Sequence, residues 1–133
     1  SEQKESWQLT YEEGRKVIES MRFAETSSLF GNEKDNSFKS TLGAIYQTFD
    51  GKDVYPTLEE KAANLLYMLV KNHSFNDGNK RIAAALFIYF LEKNNLLFDS
   101  NKNPIIDNNT LAAMTLMIAL SKPEVFACLK YVE

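Results

Sequence analysis

Apolar positions recur along most of this chain at the three-to-four-residue spacing of an amphipathic helix. Thr10-Tyr11-Glu12-Glu13 is a capping box, a hydroxyl residue followed three positions later by Glu, and it predicts a helix over about 11–27. Thr57-Leu58-Glu59-Glu60, directly after Pro56, opens a second helix to about Asn72. Its stripe is Ala62, Leu65, Leu66, Leu69 and Val70. From Lys80 to Asn94 the pattern changes. Ile82, Ala83, Ala84, Ala85, Leu86, Phe87, Ile88, Phe90 and Leu91 leave the helix almost no wet face, which predicts the buried centre of a bundle. Asn109 is the expected cap of a helix from Thr110 to Leu120. Ser121-Lys122-Pro123-Glu124 is a third capping box, with proline in the first turn, and predicts a last helix to the C-terminus.

Only one stretch breaks the helical period. Ile45 to Val54 alternates loosely around Asp50-Gly51, with aromatics at Tyr46, Phe49 and Tyr55, and reads as a hairpin. A lone hairpin is marginal in water, so it should lie as a flap on the helical body. Ser37 to Gly43, carrying Phe38 and Leu42, is expected to be a short helix, and Asn32 to Asn36 a loop. The fold class is therefore all-α: a bundle around a buried central helix, with a small β-hairpin flap. At 133 residues the chain is one domain, 1–133, with residues 1–8 expected to be a flexible tail.

Composition removes several kinds of chemistry. A net charge of -3 leaves no basic excess to neutralise nucleic-acid phosphates, so no nucleic-acid partner is expected. The longest apolar run, Ile82 to Leu91, is about half of a bilayer span, so no membrane segment is expected. The N-terminal residues lack the apolar stretch of a signal peptide, and a cytoplasmic protein is the expectation. Cys128 is the single cysteine, which excludes an intrachain disulfide and a cysteine zinc cluster. His73 is the single histidine, so any imidazole base must be His73, and a two-histidine metal hydrolase is excluded. No Gly-x-x-x-x-Gly-Lys-Ser/Thr phosphate loop is present.

The chemistry concentrates in His73-Ser74-Phe75-Asn76-Asp77-Gly78-Asn79-Lys80-Arg81, between one apolar helix and the buried one. Gly78 permits a tight turn or a close approach to a ligand. The amides that follow belong to a helix N-terminus, where unpaired N–H groups and the macrodipole favour an anion. Lys80 and Arg81 add positive charge, and Asn79 can donate. Asp77 is the carboxylate beside this anion site, the usual arrangement for Mg²⁺ on bound phosphates. Phe75 anchors the loop in the core, and His73 can act as general base. Each residue also has a plainer reading. His73 could face the last carbonyls of its helix, Asp77 could cap the next one, Lys80 and Arg81 could be solvated, and Gly78-Asn79 could be a turn.

Taken together, the segment resembles the signature of the Fic/Doc (Fido) family, His-x-Phe-x-Asp/Glu-Gly/Ala-Asn-Gly/Lys-Arg. Its seven specified positions would be met by chance on the order of once in 10⁸ starts. The resemblance runs from about Leu9 to the C-terminus and is nearest the short bacterial Doc-like branch, including the C-terminal domains of RhuM-type proteins. It implies a transferase that moves a phosphate-containing group, AMP or the terminal phosphoryl group of ATP, to a Ser, Thr or Tyr hydroxyl of a target protein. In that picture His73 is the catalytic base and Asp77 holds Mg²⁺. Gly78, Asn79, Lys80 and Arg81 bind the nucleotide phosphates. The flap Tyr46, Gln47, Thr48, Phe49, Asp50, Gly51, Lys52, Asp53, Val54 and Tyr55 docks the target by strand-like pairing.

Three departures qualify the match. Ser74 replaces a common proline at a position without chemistry. Lys80 stands where AMP-transferring members have a second glycine, and the same lysine is found in Doc. Ala84 stands where many members have a second arginine. The last two lean toward phosphoryl transfer. The family's inhibitory pattern, Ser/Thr-x-x-x-Glu-Gly/Asn, is absent, since Leu9 lies four residues before Glu13. Inhibition is then expected from an antitoxin partner or from sequence outside this chain, and the branch implies a role as a toxin. The alternative function is a catalytically inactive Fido domain that binds nucleotide or a partner, with Lys80 filling the phosphate site.

Overall fold

A computed structural model describes residues 6–121. In order along the chain are α1 (Tyr11–Arg22), α2 (Ser37–Ile45), β1 (Thr48–Phe49), β2 (Lys52–Asp53), α3 (Leu58–Asn72), α4 (Asn79–Lys93) and α5 (Asn108–Leu120). This is the expected all-α arrangement with a two-stranded hairpin. Both capping boxes form as the sequence predicts. Thr10 Oγ1 accepts from the Glu13 amide at 3.1 Å, and Thr57 Oγ1 from the Glu60 amide at 3.0 Å. The third capping box lies outside the described residues beyond Ser121.

Several boundaries differ from expectation; α2, for one, runs to Ile45 and not to Gly43. Helix α1 stops at Arg22, not near 27, because the apolar stripe stops there: Phe23 is 90% exposed and Thr26-Ser27-Ser28 favours turns. Helix α5 is capped by Asp107, whose Oδ1 accepts from the Thr110 amide at 2.7 Å, and not by Asn109, which lies inside the helix. At the other end Trp7, placed in the expected tail, packs edge-on against Tyr89 with ring centroids 5.2 Å apart. Leu9 beside it is buried.

Helix α4 contacts α1, α3 and α5, with α3 its most extensive neighbour. Ile82, Ala83, Leu86, Phe87, Phe90 and Leu91 face this core. Full burial of each larger side chain stabilises the fold by about 1.5–3 kcal/mol. The remaining face is less enclosed than the all-round apolar pattern suggests. Ala84, Ala85 and Ile88 line an open groove of ≈ 430 Å³ with Val17, Tyr89, Glu92 and Leu111. A second aromatic core of Tyr11, Phe38 and Phe75 joins α1, α2 and the loop after α3, with successive centroids 5.6 and 5.3 Å apart.

The hairpin turns where the sequence places it. Asp50 and Gly51 both have positive φ, 54° and 77°, as a tight turn matching strand twist requires. Thr48 pairs with Asp53 and Phe49 with Lys52.

Candidate active site

The chain leaves α3 through His73, which has φ 48° and ψ 53°. Helices commonly end in this left-handed conformation, and histidine is among the side chains enriched there. The reversal leaves the imidazole exposed and drives the next two residues inward. Ser74 and Phe75 are fully buried. The Ser74 hydroxyl accepts from Ser37 Oγ at 2.7 Å, and its carbonyl accepts from the Lys34 amide at 2.9 Å.

From there the loop is pinned on two sides. On the inside, Asn79 uses both ends of its amide on one residue. Its Oδ1 accepts from the Phe75 amide at 2.9 Å, and its Nδ2 donates to the Phe75 carbonyl at 2.7 Å. On the outside, the stretch from Phe30 to Lys34 runs along the loop like a strand. The Gly31 amide donates to the Asp77 carbonyl at 3.0 Å, and the Asn76 amide to the Asn32 carbonyl at 2.8 Å. Gly78, at φ 89°, closes the turn over the Phe30 ring; a Cβ there would sit 2.4 Å from a ring carbon. Glycine is required twice, by conformation and by space.

Gly78 is the N-cap of α4, and no side chain caps the helix there. The amides of the first turn therefore keep their hydrogen-bonding capacity, with the positive end of the helix dipole behind them. Asp77, which could have been the cap, turns to Arg81 instead, with both carboxylate oxygens 3.3 Å from its Nη2. Arg81 also pairs with Glu25 and lies 5.1 Å from the centre of the Phe30 ring. Lys80 is exposed.

His73, Asn76, Asp77, Gly78, Asn79, Lys80 and Arg81 line one open cleft of ≈ 280 Å³. The structure thus brings together the imidazole, the carboxylate and the phosphate-binding candidates expected from the sequence. Phe75 is the buried anchor of that loop. The hairpin residues 46–55 do not line the cleft. The base of the hairpin is tied to the far end of α3. Among the described residues no three His, Cys, Asp or Glu side chains gather to form a metal cage. Asp77, the carboxylate lining the cleft beside the uncapped amides, is the residue that would hold a Mg²⁺ carried on substrate phosphates, and its oxygens are turned to Arg81 here.

The partners of the loop were the part the sequence did not disclose. Glu25, Phe30, Gly31, Asn32 and Lys34 fell in a helix tail and a loop with no chemical signature. Nothing in the predicted helix 11–27 or loop 32–36 said that this stretch would brace the loop after α3.

The Fic/DOC family profile matches residues 8–91, well over half of the chain and the whole of this cleft. The chain belongs to the Fic/DOC family. A curated Fic/DOC relative, the toxin Doc of Mycolicibacterium smegmatis (strain ATCC 700084 / mc(2)155), is 51% identical over 47 residues. The match covers 35% of this chain and 36% of that protein, a little over a third of the relative's length. No solved structure gives a significant match. Against the Fic/DOC signature, Asn79 corrects one expectation: its side chain, expected to donate to an anion, is engaged with Phe75 inside the loop, and only its backbone amide stands at the uncapped helix N-terminus.

Proposed function

We propose that this chain is a Mg²⁺-dependent transferase that moves the terminal phosphoryl group of ATP to a Ser, Thr or Tyr hydroxyl of a target protein in the cytoplasm, in the manner of a toxin. The observation that carries the reading is the single cleft in which an exposed imidazole, one carboxylate and an uncapped helix N-terminus meet. His73 takes the proton of the target hydroxyl. The freed oxygen attacks the γ-phosphorus, and the bond to the bridging β-oxygen breaks, so ADP leaves with that oxygen. The amides of Asn79, Lys80 and Arg81 face the phosphates, and Lys80 adds a cation among them. Asp77 would hold Mg²⁺, which supplies charge neutralisation at the phosphates.

Lys80 supports phosphoryl over AMP transfer. A glycine would let the α-phosphate lie against the backbone, whereas a lysine fills that space and favours the terminal phosphate toward His73. Positioning decides which phosphorus is attacked. The pairing of Arg81 with Glu25 supports a second reading, a domain that binds a partner without turnover, because the arginine expected to hold the phosphates is already engaged.

The test is transfer of label from ATP carrying it at the α or the γ position, with Mg²⁺ and bacterial lysate. We expect γ label on protein, abolished in His73→Ala with ATP affinity retained. Incorporation of α label alone overturns phosphoryl transfer. No incorporation of either label, with ATP bound, favours the second reading. The toxin role and an antitoxin partner rest on the likeness to the toxin Doc.

A further inference from the structure

Lys61 is an unusual lysine. It lies in the opening turns of α3 with its side chain only 7% exposed. An ammonium group taken out of water is costly unless it is paired and hydrogen-bonded. Here Nζ donates to the Asp53 carboxylate at 3.0 Å and to the Tyr55 carbonyl. Both partners belong to the returning arm of the hairpin, where Asp53 is the cross-strand partner of Thr48. The outgoing arm is tied at Tyr46, whose hydroxyl accepts from the Leu9 amide at 2.7 Å.

The strands between those ties bury nothing. Thr48, Phe49, Lys52 and Asp53 are all exposed, Phe49 by 80%. Two-residue strands have little stability of their own, so their orientation is set from outside. Lys61 lies 12 residues before His73, the residue that ends α3, about 18 Å along the helix axis. A change at Lys61 therefore reaches the hairpin without touching the loop that faces the phosphates.

We propose that Lys61 is a positioning residue for the protein substrate: its buried ammonium holds hairpin 46–55 at a fixed angle, so that an open strand edge pairs with an extended segment of the target. The proposal rests on the transferase reading above. It assigns a division of labour within α3, with target docking governed at its first turns and phosphate chemistry at its last residue.

Lys61→Met keeps the aliphatic stem and removes the charge. It leaves Asp53, 47% exposed, to be solvated by water, so the fold is retained. Asp53→Asn weakens the tie more gently because the Tyr55 carbonyl still accepts. Three quantities are measured on both variants: hydrogen exchange by peptide, affinity for ATP with Mg²⁺, and the rate of label incorporation against lysate concentration. For Lys61→Met we expect at least tenfold faster exchange in 46–55 and unchanged exchange in α4. ATP affinity should stay within twofold. The half-saturating lysate concentration should rise at least fivefold at a nearly unchanged limiting rate. Asp53→Asn should show the same pattern at reduced size. Unchanged exchange in the hairpin, acceleration spread through α4, or an equal loss of ATP affinity would overturn the positioning role. A native protein that transfers neither label overturns the transferase reading and the docking role with it. The exchange data then still decide whether Lys61 holds the hairpin.

Discussion

The loop after α3 and the hairpin before it are both short, both turn through residues of positive φ, and are held in opposite ways. In the loop, backbone groups are spoken for from both sides, by Asn79 within and by Gly31, Asn32 and Lys34 without. Phe75 is buried beneath it, and only the polar side chains and the amides of α4 face outward. In the hairpin the strands are exposed, and polar ties from Lys61 and Tyr46 hold its base. A surface that must place a phosphate against an imidazole tolerates little slack, since small misplacements are costly in positioned catalysis. A surface that pairs with another chain works with backbone groups that are free and an angle that is set. The contrast is between a loop held along its length and a hairpin held at its base.

Gly78→Ala should break the first side of that contrast most severely. The new Cβ meets the Phe30 ring at 2.4 Å and the backbone stands at φ 89°. Left-handed strain and overpacking together should cost about 3 kcal/mol. Urea unfolding measures it, and phosphate or ATP binding should fall alongside stability because the ring and the turn shape the same cradle. A variant that loses under 1 kcal/mol would show that the loop yields easily.

Asn79→Ala should come next. It strips partners from the amide and carbonyl of Phe75, a residue with no exposed surface, and unpaired buried polar groups cost about 1–3 kcal/mol. We expect a loss near 2 kcal/mol by urea unfolding. Hydrogen exchange should accelerate in 73–79 and remain unchanged in 46–55. Equal acceleration in both segments would mean that the two regions are not held independently.

How much of this was legible beforehand follows the range of the forces involved. Capping boxes and apolar stripes are local, and they place α1, α3 and α4 to within a few residues at most ends. The Asp50-Gly51 turn is local as well. The chemistry-bearing residues lie within nine consecutive positions, so their meeting in one cleft needs little folding to predict. What was hidden is long-range. That Phe30 would lie under Gly78, that Glu25 would pair with Arg81 across 56 positions, and that Lys61 would be buried against the hairpin depend on how loops without periodicity are routed. The end of α1 was misjudged for the same reason: the segment after Arg22 serves the loop beyond α3 and not a helix of its own. Asp107 took the cap from Asn109 because an ionised carboxylate at a helix N-terminus also gains from the dipole.

The smallest expected effect is the sharpest control. Gly51→Ala places a methyl group at another positive-φ glycine, φ 77°, but nothing lies within 4 Å of the new Cβ. The substitution therefore has a conformational cost and no steric one, about 1 kcal/mol for a single non-glycine residue held left-handed. Because the two-residue strands are exposed, part of that strain can be released by local fraying, so global unfolding in urea should change by about 1 kcal/mol or less. The loss should appear instead as faster hydrogen exchange confined to 46–55, with ATP affinity untouched. The excess cost of Gly78→Ala over this variant sets an upper bound on what the Phe30 ring contributes. If the two glycines proved equally costly, that ring would not be holding the turn, and the rigidity of the loop after α3 would have to come from Asn79 and the backbone hydrogen bonds to Gly31, Asn32 and Lys34.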